Sequence, residues 1–129
     1  MSSKDFFQAL VNATNSHKLK WAVLPKIHYS KVTNISTGMV DAFYTEYKDD
    51  TVIVAYQYKS EYENEDISYY ISICDKNFNF KYEFTQNELN AFGSDMFKFY
   101  KNLQRLANNI DDFMENFINE YNENKDIPF

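Results

Sequence analysis

Two hydrophobic periodicities divide the chain. Near the N-terminus Phe6, Phe7, Leu10, Val11 and Thr14 recur at helical spacing behind Ser2 and Ser3, either of which supplies an N-cap oxygen. This predicts an amphipathic helix ending near residues 15–17. The next stretch, "KLKWAVLPKIHYSKVTNISTG" at 18–38, holds Pro25 and a Ser/Thr/Asn-rich run before Gly38, and reads as a short extended piece at 19–24 followed by a loop. From Met39 the period becomes two. "MVDAFYTEY", "TVIVAYQYK", "ISYYISICD" and "FKYEF" are rich in β-branched and aromatic residues and are separated by the short links 48–50, 60–66 and 76–79. Four consecutive strands in an antiparallel meander are the economical topology. Val52, Val54 and Tyr56 share one face, as do Tyr69, Ile71 and Ile73, and both sets are expected to meet helices.

After the strands, "TQNELNAFGSD" predicts a short helix, with Thr85 and Glu88 as a capping box, Gly93 as a left-handed stop and Ser94 as the next cap. From Asp95 to about Asn122 one helical face runs through Met96, Phe99, Tyr100, Leu103, Leu106, Ala107, Ile110, Phe113, Met114, Phe117 and Tyr121. A continuous helix of that length spans about 40 Å at ~1.5 Å per residue and overhangs a short strand. Either it projects toward a partner, or it breaks at Asn108-Asn109 and places Asp111 and Asp112 at a new N-terminus. The expected fold is one α+β domain over residues 1–129: an N-terminal helix, a four- to five-stranded antiparallel meander, and one or two C-terminal helices packed on one sheet face. Phe6, Leu10, Trp21, Ile71, Ile73, Leu103, Leu106 and Ile110 are expected in its core.

Composition agrees with a folded domain. Of 129 residues, 44% are hydrophobic and 19% aromatic, too apolar for a disordered chain. The abundance of Asn, Lys, Tyr, Phe and Ile also matches AT-rich codon usage, which removes the tyrosines as evidence for a sugar or base platform. A single cysteine and the lack of an N-terminal apolar run imply a cytoplasmic protein without membrane attachment.

Charge adds an asymmetry. Residues 1–40 carry five lysines against Asp5 alone, a balance of +4, while residues 41–129 carry eight bases and eighteen acids, a balance of −10, giving the net −6. With pI about 4.8 and Arg105 as its only arginine, the chain is poorly equipped to bind nucleic acid directly. The one basic and aromatic stretch is His17 to Lys31.

Candidate chemistry is sparse. A nucleophilic site requires Ser or Cys beside an oriented base, and the supply is Cys74 in a strand with His17 and His28 elsewhere. The histidines match no zinc spacing, Gly38 and Gly93 make no phosphate loop, and the adjacent acids Asp49-Asp50 and Asp111-Asp112 read as solvated pairs. No catalytic residue, no metal and no cofactor is expected. One acidic run stands out, because Glu61, Glu63 and Glu65, followed by Asp66, would lie about 6.6 Å apart on one side of an extended strand, close to the axial spacing of alternate phosphates.

The order of landmarks resembles a group of small α+β proteins of Gram-positive bacteria and their phages and plasmids. The resemblance is carried by "KLKW" at 18–21, "YYISICD" at 69–75 and "NNIDDFMENFINEY" at 108–121. It implies a fold and a link to mobile elements, and supplies no activity. The expected function is a non-enzymatic protein-binding module, an inhibitor or accessory factor of a phage or plasmid, acting through Glu61, Glu63, Glu65 and Asp66 or through Phe113, Phe117 and Tyr121. Two alternatives remain: an acidic nucleic-acid mimic that inhibits a host defence nuclease such as a CRISPR effector, and a homo-oligomeric structural protein. The partner is a protein, such as a nucleic-acid-handling enzyme or a second copy of the chain.

Overall fold

A computed structural model describes residues 3–33, 38–59, 67–84, 88 and 95–122. The first helix, α1 (Ser3–Asn15), buries Phe7, Leu10 and Thr14. It ends at His17, whose φ of 59° is left-handed; the Lys18 N–H reaches the Ala13 carbonyl at 2.9 Å and the His17 N–H reaches the Thr14 carbonyl at 3.1 Å. That is a Schellman closure built without glycine. A short strand β1 (Trp21–Val23) follows, then one 3-10 turn (Lys26–His28), then β2 (Met39–Tyr47), β3 (Thr51–Lys59), β4 (Ile67–Asp75) and β5 (Phe80–Glu83). All five strands form one antiparallel sheet in sequential order, as the short links dictate.

The helix α2 (Asp95–Ala107) buries Met96, Phe99, Tyr100 and Leu103 and lies with α1 on one face of the sheet, over Trp21, Phe43, Ile53, Ala55 and Ile71. Trp21 ties these layers together: its indole N–H donates to Thr14 Oγ1 at 3.1 Å and its ring meets Phe99 edge-on at 6.0 Å. Thr14 in turn donates to the Leu10 carbonyl at 2.8 Å, so the buried hydroxyl and indole are both satisfied.

Val52, Val54 and Tyr56 do not meet the helices. They lie on the opposite face with Ala42 and Cys74, beneath Leu24 and Val32 of the connection after β1. The pairing Ile53↔Ile73 and Ala55↔Ile71 puts the other parity of β3 under the helices. β3 is the central strand and is covered on both sides, so both of its faces are apolar and alternation within it carries no orientation. The connection is fastened there by polar contacts. The Thr33 hydroxyl bonds Tyr56 Oη at 2.8 Å and Glu83 Oε1 at 2.7 Å, Tyr56 also donates to Glu83, and Ser72 donates to the Val32 carbonyl at 2.8 Å.

The long helical face breaks where the asparagines stand. Asn109 has φ 53°, the Asn108 side chain donates to the Gln104 carbonyl at 2.9 Å, and the Asn109 carbonyl accepts the Phe113 N–H at 3.0 Å, opening a new helix α3 (Ile110–Asn122). Asparagine tolerates the left-handed conformation and offers local hydrogen bonds, so the pair suits such a step. Arg105 at the end of α2 pairs with Asp111 at the start of α3, placing each charge at the helix end it stabilises. Ile110, expected in the core, is 36% exposed: the break carries it past the last sheet-facing residues, Leu106 and Ala107.

Candidate protein-binding surface

The break does not return α3 to the sheet, and all thirteen of its residues are exposed. Advancing ~100° per residue, Ile110, Phe113, Met114, Phe117, Ile118 and Tyr121 fall within an arc of about 140°, and every polar residue falls in the remainder. Phe113 is 64% exposed, Phe117 54% and Tyr121 58%. The rings stack only along their own helix, Phe113 to Phe117 at 6.3 Å and Phe117 to Tyr121 at 4.7 Å. Such i,i+4 pairs contribute about 0.2–0.5 kcal/mol each. A helix this short is marginal in water without tertiary packing.

Phe113, Phe117 and Tyr121 are thus brought together, with Met114 and Ile118 completing the surface. Ile118 was missed by a single stripe running the length of both helices; plotting α3 alone places it at the edge of the arc. The opposite side holds Asp111, Asp112, Glu115 and Glu120 and no basic residue. Asp111 and Glu120 border the apolar arc on its two sides, so the exposed surface has acidic edges.

A second feature lies where α3 leaves the body. A hollow of about 430 Å³ opens between the end of α1, β1 and the end of α2; Leu19, Trp21, Leu106 and Ala107 form its apolar part, and His17, Lys20 and Asn109 also line it. An adjoining hollow of about 340 Å³ is almost wholly apolar, shaped by Phe6, Ala9, Ala13, Tyr47 and Ile53, with Leu19 shared between the two. Lys18 and Lys20 are exposed on either side of Leu19, and the Lys48 ammonium sits 5.4 Å from the Tyr47 ring centre. Among the described residues no ion pair engages Lys18, Lys20 or Lys48. No periodicity signals this groove, because its walls come from five separate elements, α1, β1, β2, β3 and α2.

Glu61, Glu63, Glu65 and Asp66 lie outside the described residues. The strands that flank them are described. Lys59 pairs with Ile67 at one end of the β3–β4 ladder and Thr51 with Asp75 at the other, so Asp49, Asp50 and Asp75 belong to the end opposite Lys59 and Ile67. The capping stretch of Thr85, Gly93 and Ser94 also lies outside the described residues, which there include only Glu88.

The remaining candidate groups are occupied structurally. Cys74 is fully buried, donates its thiol to the Val32 carbonyl at 3.8 Å, and has a pKa pushed up to about 11, chiefly by burial. It is a protonated core thiol. His28 stacks on Phe78 at 4.5 Å, and His17 forms the α1 stop. Burial first, then its hydrogen bond to Glu83, holds the Tyr56 phenol far above its usual pKa. Among the described residues no three His, Cys, Asp or Glu side chains gather as a metal site, and no helix is long and apolar enough to cross a membrane. No protein-family model, curated protein or solved structure matches the chain.

Proposed function

We propose that the protein is a non-enzymatic protein-recognition module whose working surface is the apolar face of α3. The observation that carries this reading is the complete exposure of a helix bearing six large hydrophobic residues on one side and only polar residues on the other. A patch of that kind marks an interaction site rather than a solvated face. Helix-in-groove recognition uses anchors at this spacing, with a few aromatic side chains supplying most of the affinity. The buried thiol and the structural roles of both histidines support a role without catalysis. The resemblance to proteins of phages and plasmids suits an inhibitor or accessory factor, in which a small body displays one recognition element.

A photo-crosslinking residue substituted at Phe117, compared with the same residue at Glu115 on the polar side, tests this in living cells that carry the gene. Protein adducts from position 117 and none from position 115 are expected. Equal labelling at both positions, or none at either, contradicts the reading.

A further inference from the structure

The geometry points to a second copy of this chain as the partner: two molecules exchange α3 helices, each seated in the apolar groove around Leu19 of the other. This rests on reading α3 as a recognition helix and names what it recognises. The chain carries both halves of the interface. The helix is apolar on one side, acidic at its edges and without a base; the groove is apolar within and has His17 and Lys20 in its lining, with the exposed Lys18 next to both in the chain. A hydrophobic ridge with acidic edges and a hydrophobic trough with basic edges are complementary in both shape class and sign.

Position favours exchange as well. Asn109 both lines the groove and precedes α3, so the helix departs from the groove's own edge. A two-fold axis passing near that step carries each helix across to its counterpart's groove and closes the assembly with two identical contacts, which a head-to-tail arrangement does not. The left-handed break at Asn109 fixes the direction of α3 through one backbone position, the kind of hinge from which exchanged elements swing. Each helix is about 20 Å long, and two such contacts reach the scale of a stable interface, ~1,600 Å² in total.

Direct pairing of α3 with α3 is the weaker arrangement. It would bring Glu120 of one helix alongside the acids of the other, with no lysine or arginine on α3 to offset it and Arg105 already paired with Asp111.

A charge-exchange experiment decides between these arrangements. One variant reverses the free acidic edge of the helix (Glu120→Lys) and a second reverses the groove (Lys18→Glu with Lys20→Glu); all three side chains are exposed, and circular dichroism verifies that each variant folds. Sedimentation velocity over a range of concentrations is expected to give a dimer for the natural chain and association weakened by about tenfold or more for each variant alone. An equimolar mixture should restore the dimer, because the basic helix edge then meets the acidic groove and the acidic helix edge the basic groove.

A natural chain that stays monomeric at every concentration overturns the inference, as does a dimer that the groove variant leaves unchanged. In the monomeric case, adducts from position 117 to a different protein would keep the recognition reading while removing self-exchange. Absence of adducts would remove both.

Discussion

Gly38 occupies a position at the start of β2 that no other residue suits. Its φ is 97°, its carbonyl accepts the Lys59 N–H at 2.8 Å, and a Cβ there would stand 2.8 Å from the Lys59 carbonyl oxygen and 2.5 Å from the Tyr58 ring. Gly38→Ala is expected to cost at least about 1–2 kcal/mol in urea unfolding, the left-handed penalty alone, with the displaced ring and backbone adding to it. Asp75 is a second residue whose local chemistry makes a measurable claim. Its carboxylate accepts the backbone N–H groups of Asn77 and Asn79, each at 2.9 Å, and closes the turn into β5; these bonds, that from Asn79 foremost, hold its pKa below the usual range. A pKa lowered by folding stabilises above the unfolded value and loses that contribution as pH falls through the folded one. Asp75→Asn should therefore lower the unfolding midpoint at neutral pH and flatten its decline below about pH 4. An unchanged acid profile would show that the turn does not depend on the charge.

The elements were legible in the sequence to different degrees, for reasons that differ between them. Strands β2 to β5 are bounded by polar links of three to seven residues, and the extents of β2, β3 and β4 follow from those links. The orientation of β3 does not, since a strand buried on both sides is apolar at both parities. The connection at 24–33 looks like a polar loop, yet Leu24 and Val32 are fully buried and form the roof of a second core. Its apolar positions Leu24, Ile27, Tyr29 and Val32 match no single period, and Ile27, as apolar as the two that are buried, is 80% exposed. Val32→Ala is expected to cost about 1.5–2.5 kcal/mol, two methyl groups and the space they leave. A cost below about 0.5 kcal/mol would show the connection to be an ornamental cover. The asparagine pair marked the helix break, but nothing in the chain's periodicity distinguishes an apolar stripe that packs from one that projects. Ile110 and Leu106 follow the same spacing, and only the turn of the backbone between them separates a residue packed on the core from an exposed one.

At the scale of the molecule, the layers divide the labour. The sheet is sealed on one face by α1 and α2 and on the other by the 24–33 connection, so the body is complete without α3. Helix α3 is added to a finished fold, and the groove beside its origin is assembled from α1, β1, β2, β3 and α2, which is why the groove could not be inferred from one stretch of sequence. If α3 serves recognition and not folding, its aromatic side chains contribute nothing large to the stability of the isolated chain. The unfolding free energy of Phe117→Gln, measured in urea at protein concentrations low enough to keep the chain monomeric, tests this most directly, with Leu103→Ala in the buried face of α2 as the reference. The account predicts a change within about 1 kcal/mol for Phe117→Gln, the most its two ring contacts along α3 supply, beside a loss of about 2–5 kcal/mol for Leu103→Ala. A loss at Phe117 as large as that at Leu103 would mean that α3 packs within its own chain, and would contradict its role as an exposed recognition helix.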